Sequence, residues 1–279
     1  MMFWLCRAIE HGVTMAANPL GIEVVFFDID GTLFSHTQGC IPESARDALA
    51  QLRAGGVKTV IATGRHKVDL KTLPTADLNF DGYIALNGQM ILDESLSLIA
   101  GTPINAAEAE ILTMAFKAKK IPFLILTENQ RYMNFIDALT QEALDKGEFT
   151  LPEPSAYDAE GDAIFQLCAF VGDEDRELLD SILDECNITS WSPIGIDIVP
   201  KGGGKSVGIE KFLEAEGIDR SRTMAFGDGE NDLDMLEYVQ VGVAMGNGGE
   251  DVKKVADYVT SDIDDDGVAD ALRHFGLID

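Results

Sequence analysis

Short apolar runs alternate with longer amphipathic stretches at both ends of this 279-residue chain, whereas its middle follows a different rhythm. Val24-Val25-Phe26-Phe27, Val57 to Ala62 and Gly82 to Leu86 are short and apolar, as strands buried on both faces should be. Between the first two, Pro42 to Ala54 predicts a helix with Ala45, Leu49 and Leu52 inward and Gly55-Gly56 as its stop. A further helix is expected after Ile61. Beyond Leu86 the pattern turns to hairpins: Met90-Ile91-Leu92 with Leu96 to Ile99, then Phe123 to Leu126 with Tyr132 to Phe135. Helices are expected from about Ala106 to Lys119, with Ile111, Met114, Ala115 and Ala118 on one face, and around Leu178, Leu179, Ile182 and Leu183. A strand from Ala163 to Val171 lies between them. From Ile196 the strand–helix alternation resumes, with Ile209, Phe212 and Leu213, then Leu233, Leu236 and Val239, as inward faces.

This order predicts an α/β fold: a parallel-sheet core built from residues 22–86 and 191–279, interrupted by an inserted α+β domain over 87–190. Leu86-Asn87-Gly88 and Pro193-Ile194-Gly195 carry the Gly and Pro expected of hinges. Residues 1–21 form an N-terminal extension expected to be mobile, within which Met15 offers an alternative start.

Composition narrows the function. With 48 acidic against 21 basic residues the net charge is −27, which repels nucleic-acid phosphates. A small phosphorylated substrate meets the same field, so its site needs a cation and local positive groups. No stretch holds the 18 or more apolar residues of a membrane helix, and the N-terminus is a poor signal peptide. Cys6, Cys40, Cys168 and Cys186 show no metal spacing and read as reduced packing residues, as in a cytoplasmic protein. His36 and His66 each follow a motif closely and could line a site mouth, but they read first as solvated loop positions. Asp262, Asp264, Asp265 and Asp266 read as a solvated acidic loop.

Four strand ends carry the candidate chemistry. Asp28-Ile29-Asp30-Gly31-Thr32 follows the first strand, where a turn at Gly31 can bring two carboxylates together. Crowded carboxylates call for a cation, a shared proton, or both. Thr63-Gly64-Arg65 ends the second strand with a hydroxyl and a freed amide, suited to a phosphate oxygen. Lys201-Gly202-Gly203-Gly204-Lys205-Ser206 opens a helix with lysines that an anion would stabilise. Asp228-Gly229-Glu230-Asn231-Asp232 places three acidic residues at a strand-to-helix turn, an oxygen-rich source of Mg²⁺ ligands.

In order and spacing, DIDGT, ATGR, the second lysine of KGGGKS, and GDGEND with the following VGVAMGN resemble the haloacid dehalogenase superfamily, in its Cof-type branch. The resemblance implies a Rossmann-like core with the insert as a type IIB-like cap. It implies a Mg²⁺-dependent phosphatase acting on a small phosphorylated metabolite, such as a sugar phosphate, through an aspartyl-phosphate. Catalysis falls to Asp28 as nucleophile, Asp30 as acid and base, Thr63 and Lys205. Thr63, Gly64, Lys205 and Asn231 hold the phosphate. The resemblance further implies Asp28, Asp228 and Asp30, through its carbonyl, as metal ligands, with Asp232 orienting Lys205. Helix position favours Lys205 over Lys201 as the motif lysine, and Asn247 is a weaker candidate at the rim. Two other readings of the scaffold are a phosphomutase and a non-catalytic phosphate- or metal-binding regulator. A P-type ATPase carries Thr where Asp30 stands and needs membrane helices.

Overall fold

The computed structural model describes residues 18–72, 75–145, 151–157, 161–190 and 194–279. Residues 1–17 of the expected extension lie outside them. Residues 18–21 are tied down: the Asn18 carboxamide bonds both N and O of Ile22, and its amide donates to the Gly276 carbonyl.

The chain first forms β1 (Val24–Phe27), α1 (Glu43–Ala54), β2 (Lys58–Ala62), α2 (Lys67–Leu70), β3 (Gly82–Ala85), β4 (Met90–Asp93) and β5 (Leu98–Gly101). A second group follows: α3 (Ala106–Ala118), β6 (Phe123–Thr127), β7 (Arg131–Met133), α4 (Ala138–Asp145), β8 (Ile164–Phe170), α5 (Asp173–Ile182), β9 (Cys186–Ser190) and β10 (Gly195–Pro200). The last part supplies α6 (Lys205–Glu216), β11 (Thr223–Gly227), α7 (Leu233–Tyr238), β12 (Val241–Ala244), α8 (Glu250–Val255), β13 (Tyr258–Val259) and α9 (Gly267–His274).

Two sheets result. The larger has eight strands in the order β13-β12-β11-β1-β2-β3-β4-β5, parallel from β13 to β3 and antiparallel at β4 and β5. Its central strand shows why the β1 run is apolar at every position. Val25 and Phe27 pack with Leu49 and Leu52 of α1 and Leu272 of α9, while Val24 and Phe26 pack with Ile209 and Phe212 of α6. A strand covered on both faces has no polar side. The smaller sheet, β7-β6-β8-β10-β9, is antiparallel throughout, with α3 and α5 over one face.

Several expectations need correction. The first predicted hairpin belongs to the core: β4 pairs with β3, and β5 with β4. Conversely, the strand from Gly195 to Pro200, expected to resume the core, pairs with β8 and β9. The boundaries expected at 87 and 190 therefore do not coincide with sheet membership. Residues 102–105 and 201–204 are the segments that pass between the sheets, rather than 86–88 or 193–195. Hairpin periodicity reports pairing type and is blind to which sheet the pair extends.

The helix expected after Ile61 is a single turn, because Lys71 caps it and the Thr72 hydroxyl bonds back to the Asp69 carbonyl. On α3 the buried stripe is Glu108, Leu112 and Phe116, and Met114 is exposed. Bulkier Leu112 and Phe116 set that face, with Phe116 meeting Tyr157 edge-on. On α5, Leu179 is buried while Leu178 and Ile182 are exposed. Cys168 and Cys186 are buried and Cys40 is exposed.

Candidate active site

Parallel strand order reverses around β1, since the chain leaves it through β2 and β3 on one side and returns through β11 and β12 on the other. Open α/β sheets form a crevice at the carboxyl ends of strands where such a reversal occurs. Register aligns Phe27 with Ile61 of β2 and Phe226 of β11, so the residues that follow these strands converge. They are Asp28, Thr63 and Asp228.

The core of the site is a buried charge array. Lys205, fully enclosed at the start of α6, donates from Nζ to Asp28 Oδ1 and to Asp232 Oδ1, each at 2.6 Å. Asp232 Oδ2 receives the backbone amides of Asp228 and Gly229, both at 2.9 Å. Asp232 is thus saturated by donors and braces the lysine against the loop that carries Asp228. Of the two motif lysines, Lys201 turns away to the Asp184 carbonyl.

Ligand oxygens of Asp28, Asp228 and Asp232 lie within 4.8 Å of one another. Because Asp232 already accepts three donors, Asp28 and Asp228 are the pair with capacity for a cation. Burial pushes the Asp28 carboxyl up to about 8 against the pull of Lys205, and Asp232 and Asp228 add to the rise. Burial likewise lifts Asp228 to about 6, opposed by the Thr32 hydroxyl that donates to its Oδ1 at 2.8 Å. For Lys205, burial alone would favour the neutral amine, but Asp28 and Asp232 outweigh it and keep the ammonium. Across the Asp28–Lys205 contact these tendencies oppose each other, and the lysine's second carboxylate decides that the lysine stays charged. Two carboxylates whose ionisation is costly, facing a shared space, are a fit for a hard divalent cation with oxygen ligands.

Asp30 stands apart from that cluster. Its carboxylate is gripped by Arg65, which donates from Nε at 2.7 Å and Nη2 at 2.6 Å, with His36 Nε2 3.2 Å away. The Arg65 guanidinium was not among the sequence candidates, although its place in ATGR was visible. His36 is exposed as expected and lies beside Asp30 at the site's mouth, the second of the two positions open to it. His66 corrects expectation: it is buried, with Nε2 2.7 Å from the Thr127 carbonyl of β6. Burial of its ring leads the causes that hold its pKa below the usual histidine value. Around it, Lys67 pairs with Glu128 and Asp69 with Arg131, so α2 and the β6–β7 turn are joined by ion pairs.

Thr63 is buried, and its hydroxyl oxygen accepts the Arg65 amide at 3.2 Å, which leaves its O–H to donate. Gly64, Asn87 and Asn231 form a neighbouring group. A side chain at Gly64 would press on the Asn87 carboxamide, which accepts from Asn231 Nδ2 at 3.0 Å. Asn87 and Thr32 are contributions that sequence reading missed. Asn247 donates to the Gly31 carbonyl at 2.7 Å and accepts the Ile263 amide, tying the first turn to the acidic loop. That loop is not wholly solvated either, because Asp264 accepts the buried Ser35 hydroxyl at 2.6 Å.

Gly31 has a positive φ of 86°, and a Cβ there would stand 2.2 Å from an Asp228 carboxylate oxygen. Gly31→Ala should therefore lower stability by about 1–2 kcal/mol from the left-handed backbone alone and displace Asp228 as well. Urea unfolding checks the first effect, and an unchanged midpoint would contradict it.

A doubly wound core, a second, antiparallel sheet and an aspartate–lysine–aspartate array at the crevice are compatible with covalent catalysis by a carboxylate. A sequence profile of the haloacid dehalogenase-like hydrolases matches residues 25–272, and the chain belongs to that family. YkrA of Bacillus subtilis (strain 168) is 35% identical over 257 residues, covering 92% of this chain and 98% of that one. The 5-amino-6-(5-phospho-D-ribitylamino)uracil phosphatase YcsE of the same organism is 30% identical, covering 95% and 100%. Among solved structures, the subclass IIB sugar phosphatase BT4131 superposes with a TM-score of 0.77 at 34% identity, covering 92% of this chain and all of that one, 100%. The protein is a phosphatase of this family. No helix among the described residues is long and apolar enough to cross a membrane.

Proposed function

We propose that this chain hydrolyses a small phosphomonoester, such as a sugar phosphate, with Mg²⁺ and through a phosphorylated Asp28. The observation that carries the reading is the Lys205 ammonium held between Asp28 and Asp232 beside a further oxygen donor, Asp228. An ammonium in that position offsets the charge of a carboxylate that must approach an anionic phosphoryl group.

Asp28 attacks phosphorus, the ester P–O bond breaks, and Asp30 gives its proton to the leaving alcohol. Asp30 then takes a proton from the water that attacks the aspartyl-phosphate, which releases inorganic phosphate and restores Asp28. Arg65 pairs with both Asp30 carboxylate oxygens, and that contact must open for the carboxyl to carry the proton it gives to the alcohol. Thr63, the Gly64 amide and Asn231 hold phosphoryl oxygens. Asp28, Asp228 and the Asp30 carbonyl would hold Mg²⁺, which would supply neutralisation of the negative charge there. The smaller sheet acts as the cap over this crevice, excluding water when closed. BT4131 and YcsE are phosphatases of a sugar phosphate and of a ribityl phosphate by name, which supports a polyol-bearing substrate.

The test is phosphate release from a set of phosphorylated metabolites and one aryl phosphate, with Mg²⁺ present and the Asp28→Ala variant as blank. Release by the native chain above that blank is expected. None from any ester would overturn the reading.

A further inference from the structure

Three successive residues after β3 have positive φ: Leu86 at 50°, Asn87 at 51° and Gly88 at 98°. Glycine adopts that region freely, whereas at Leu86 and Asn87 the Cβ makes it costly. Expected to be a hinge, this segment is instead wedged in place. The Leu86 amide donates to the Arg65 carbonyl at 3.2 Å, and the Asn87 amide donates to the Thr63 carbonyl at 3.0 Å. The Leu86 side chain is buried in the core. Gly88 runs so close to the start of α6 that a Cβ would stand 1.9 Å from the Gly204 carbonyl oxygen. Strain of this kind persists only where the surroundings over-determine it, and it gathers at binding sites.

The strained turn positions one side chain. Asn87 lines a cleft of about 700 Å³ together with Lys205 and Asn231. Its Oδ1 accepts from Asn231 Nδ2 at 3.0 Å, and no described residue accepts from its own Nδ2. A Cβ at Gly64 would lie 3.2 Å from that nitrogen, so the carboxamide rests against the loop that carries Thr63 and the Gly64 amide. With its oxygen committed and its N–H groups unused, the carboxamide is a donor. Lys205, Gly64 and Asn231, which surround it, are the groups assigned above to the phosphate.

Resting on the phosphatase reading above, we propose that Asn87 is a further phosphoryl-binding residue, whose Oδ1 orients Asn231 and whose Nδ2 donates to a phosphoryl oxygen. The contact is with the transferred group, not with the alcohol. The backbone that costs strain also fixes the donor before substrate arrives, so no reorganisation is needed as charge shifts on the phosphoryl oxygens.

Two variants separate this role from one in folding. Asn87→Gly suits the left-handed backbone and lacks the carboxamide. Asn87→Asp keeps the size and the acceptor for Asn231 but has no donor. Both should melt within about 3 °C of the native chain. Titration calorimetry with inorganic phosphate and Mg²⁺ reads the contact without turnover. The phosphate Kd should rise about tenfold or more in both variants, as for a lost hydrogen bond to a charged group. The rise should be larger for Asn87→Asp, whose carboxylate also repels the anion. For phenyl phosphate and glucose 6-phosphate, kcat/KM should fall by a similar factor, because the two esters share the phosphoryl group alone. An unchanged phosphate Kd in Asn87→Asp would overturn the inference, with or without a fall in Tm. A loss confined to glucose 6-phosphate would also overturn it, since the contact would then be with the alcohol. Failure of the native chain to hydrolyse either ester would remove the phosphatase reading, while the phosphate Kd would still decide the role of Asn87.

Discussion

Asp28→Asn releases no phosphate from any monoester and takes up no covalent phosphoryl group, because an amide oxygen is not a competent nucleophile here. Folding should survive the change. Lys205 keeps Asp232 at 2.6 Å, and the substitution removes a carboxylate whose ionisation burial disfavours. Asp30→Asn gives a different phenotype. It leaves the Asp28–Lys205–Asp232 array in place and removes the acid on the leaving-group side, so turnover of alkyl phosphates should fall by about 10²–10⁴-fold. An aryl phosphate needs little help in leaving, so the Asp30 variant should still be phosphorylated and accumulate the intermediate. Acid-quench labelling with an aryl phosphate separates the two. Equal loss of label in both variants would refute the division of roles.

The second large effect is metal dependence. Thorough chelation should abolish phosphate release, and Mg²⁺ should restore it while Ca²⁺ restores little. Ca²⁺ takes more ligands at longer distances and invites a bidentate grip that would tie up the nucleophilic carboxylate. Stability offers a readout free of turnover. Asp28 and Asp228 have folded-state pKa values of about 8 and about 6, both above the ordinary aspartate value of 3.8. A raised acid pKa means that the native state holds its proton longer than the unfolded chain does. Metal-free stability should therefore fall as pH rises from near the unfolded value through the folded ones. A divalent cation favours the ionised carboxylates and reverses that tendency. Mg²⁺ should then raise Tm more at pH 8 than at pH 5. Full activity after stripping, or a Mg²⁺ shift that does not grow with pH, would argue against a cation at Asp28 and Asp228.

The sequence by itself determined the parallel core, because strands covered on both faces are mostly apolar, as β1 is throughout and β2 and β11 are after their first residues. It also placed Asp28, Asp30, Thr63 and Asp228 at strand ends and Lys205 at a helix start, since local turn chemistry locates a residue at the end of an element. Helix α1 was legible down to its buried face for the same local reason. Tertiary structure alone decided what those residues touch. Arg65 stands two residues after Thr63, yet nothing local says that its guanidinium reaches Asp30, 35 positions earlier. His66 read as a solvated loop position, and only docking of β6 against α2 buries it beneath the Thr127 carbonyl. Sheet membership was equally invisible: β4–β5 and β10 satisfy the same periodicity in either sheet, and long-range pairing chose between them. The faces of α3 and α5 moved because burial follows the partner surface, here the face of the smaller sheet to which β6, β8 and β10 all contribute. Periodicity carries local information, whereas contacts across the crevice belong to the folded chain.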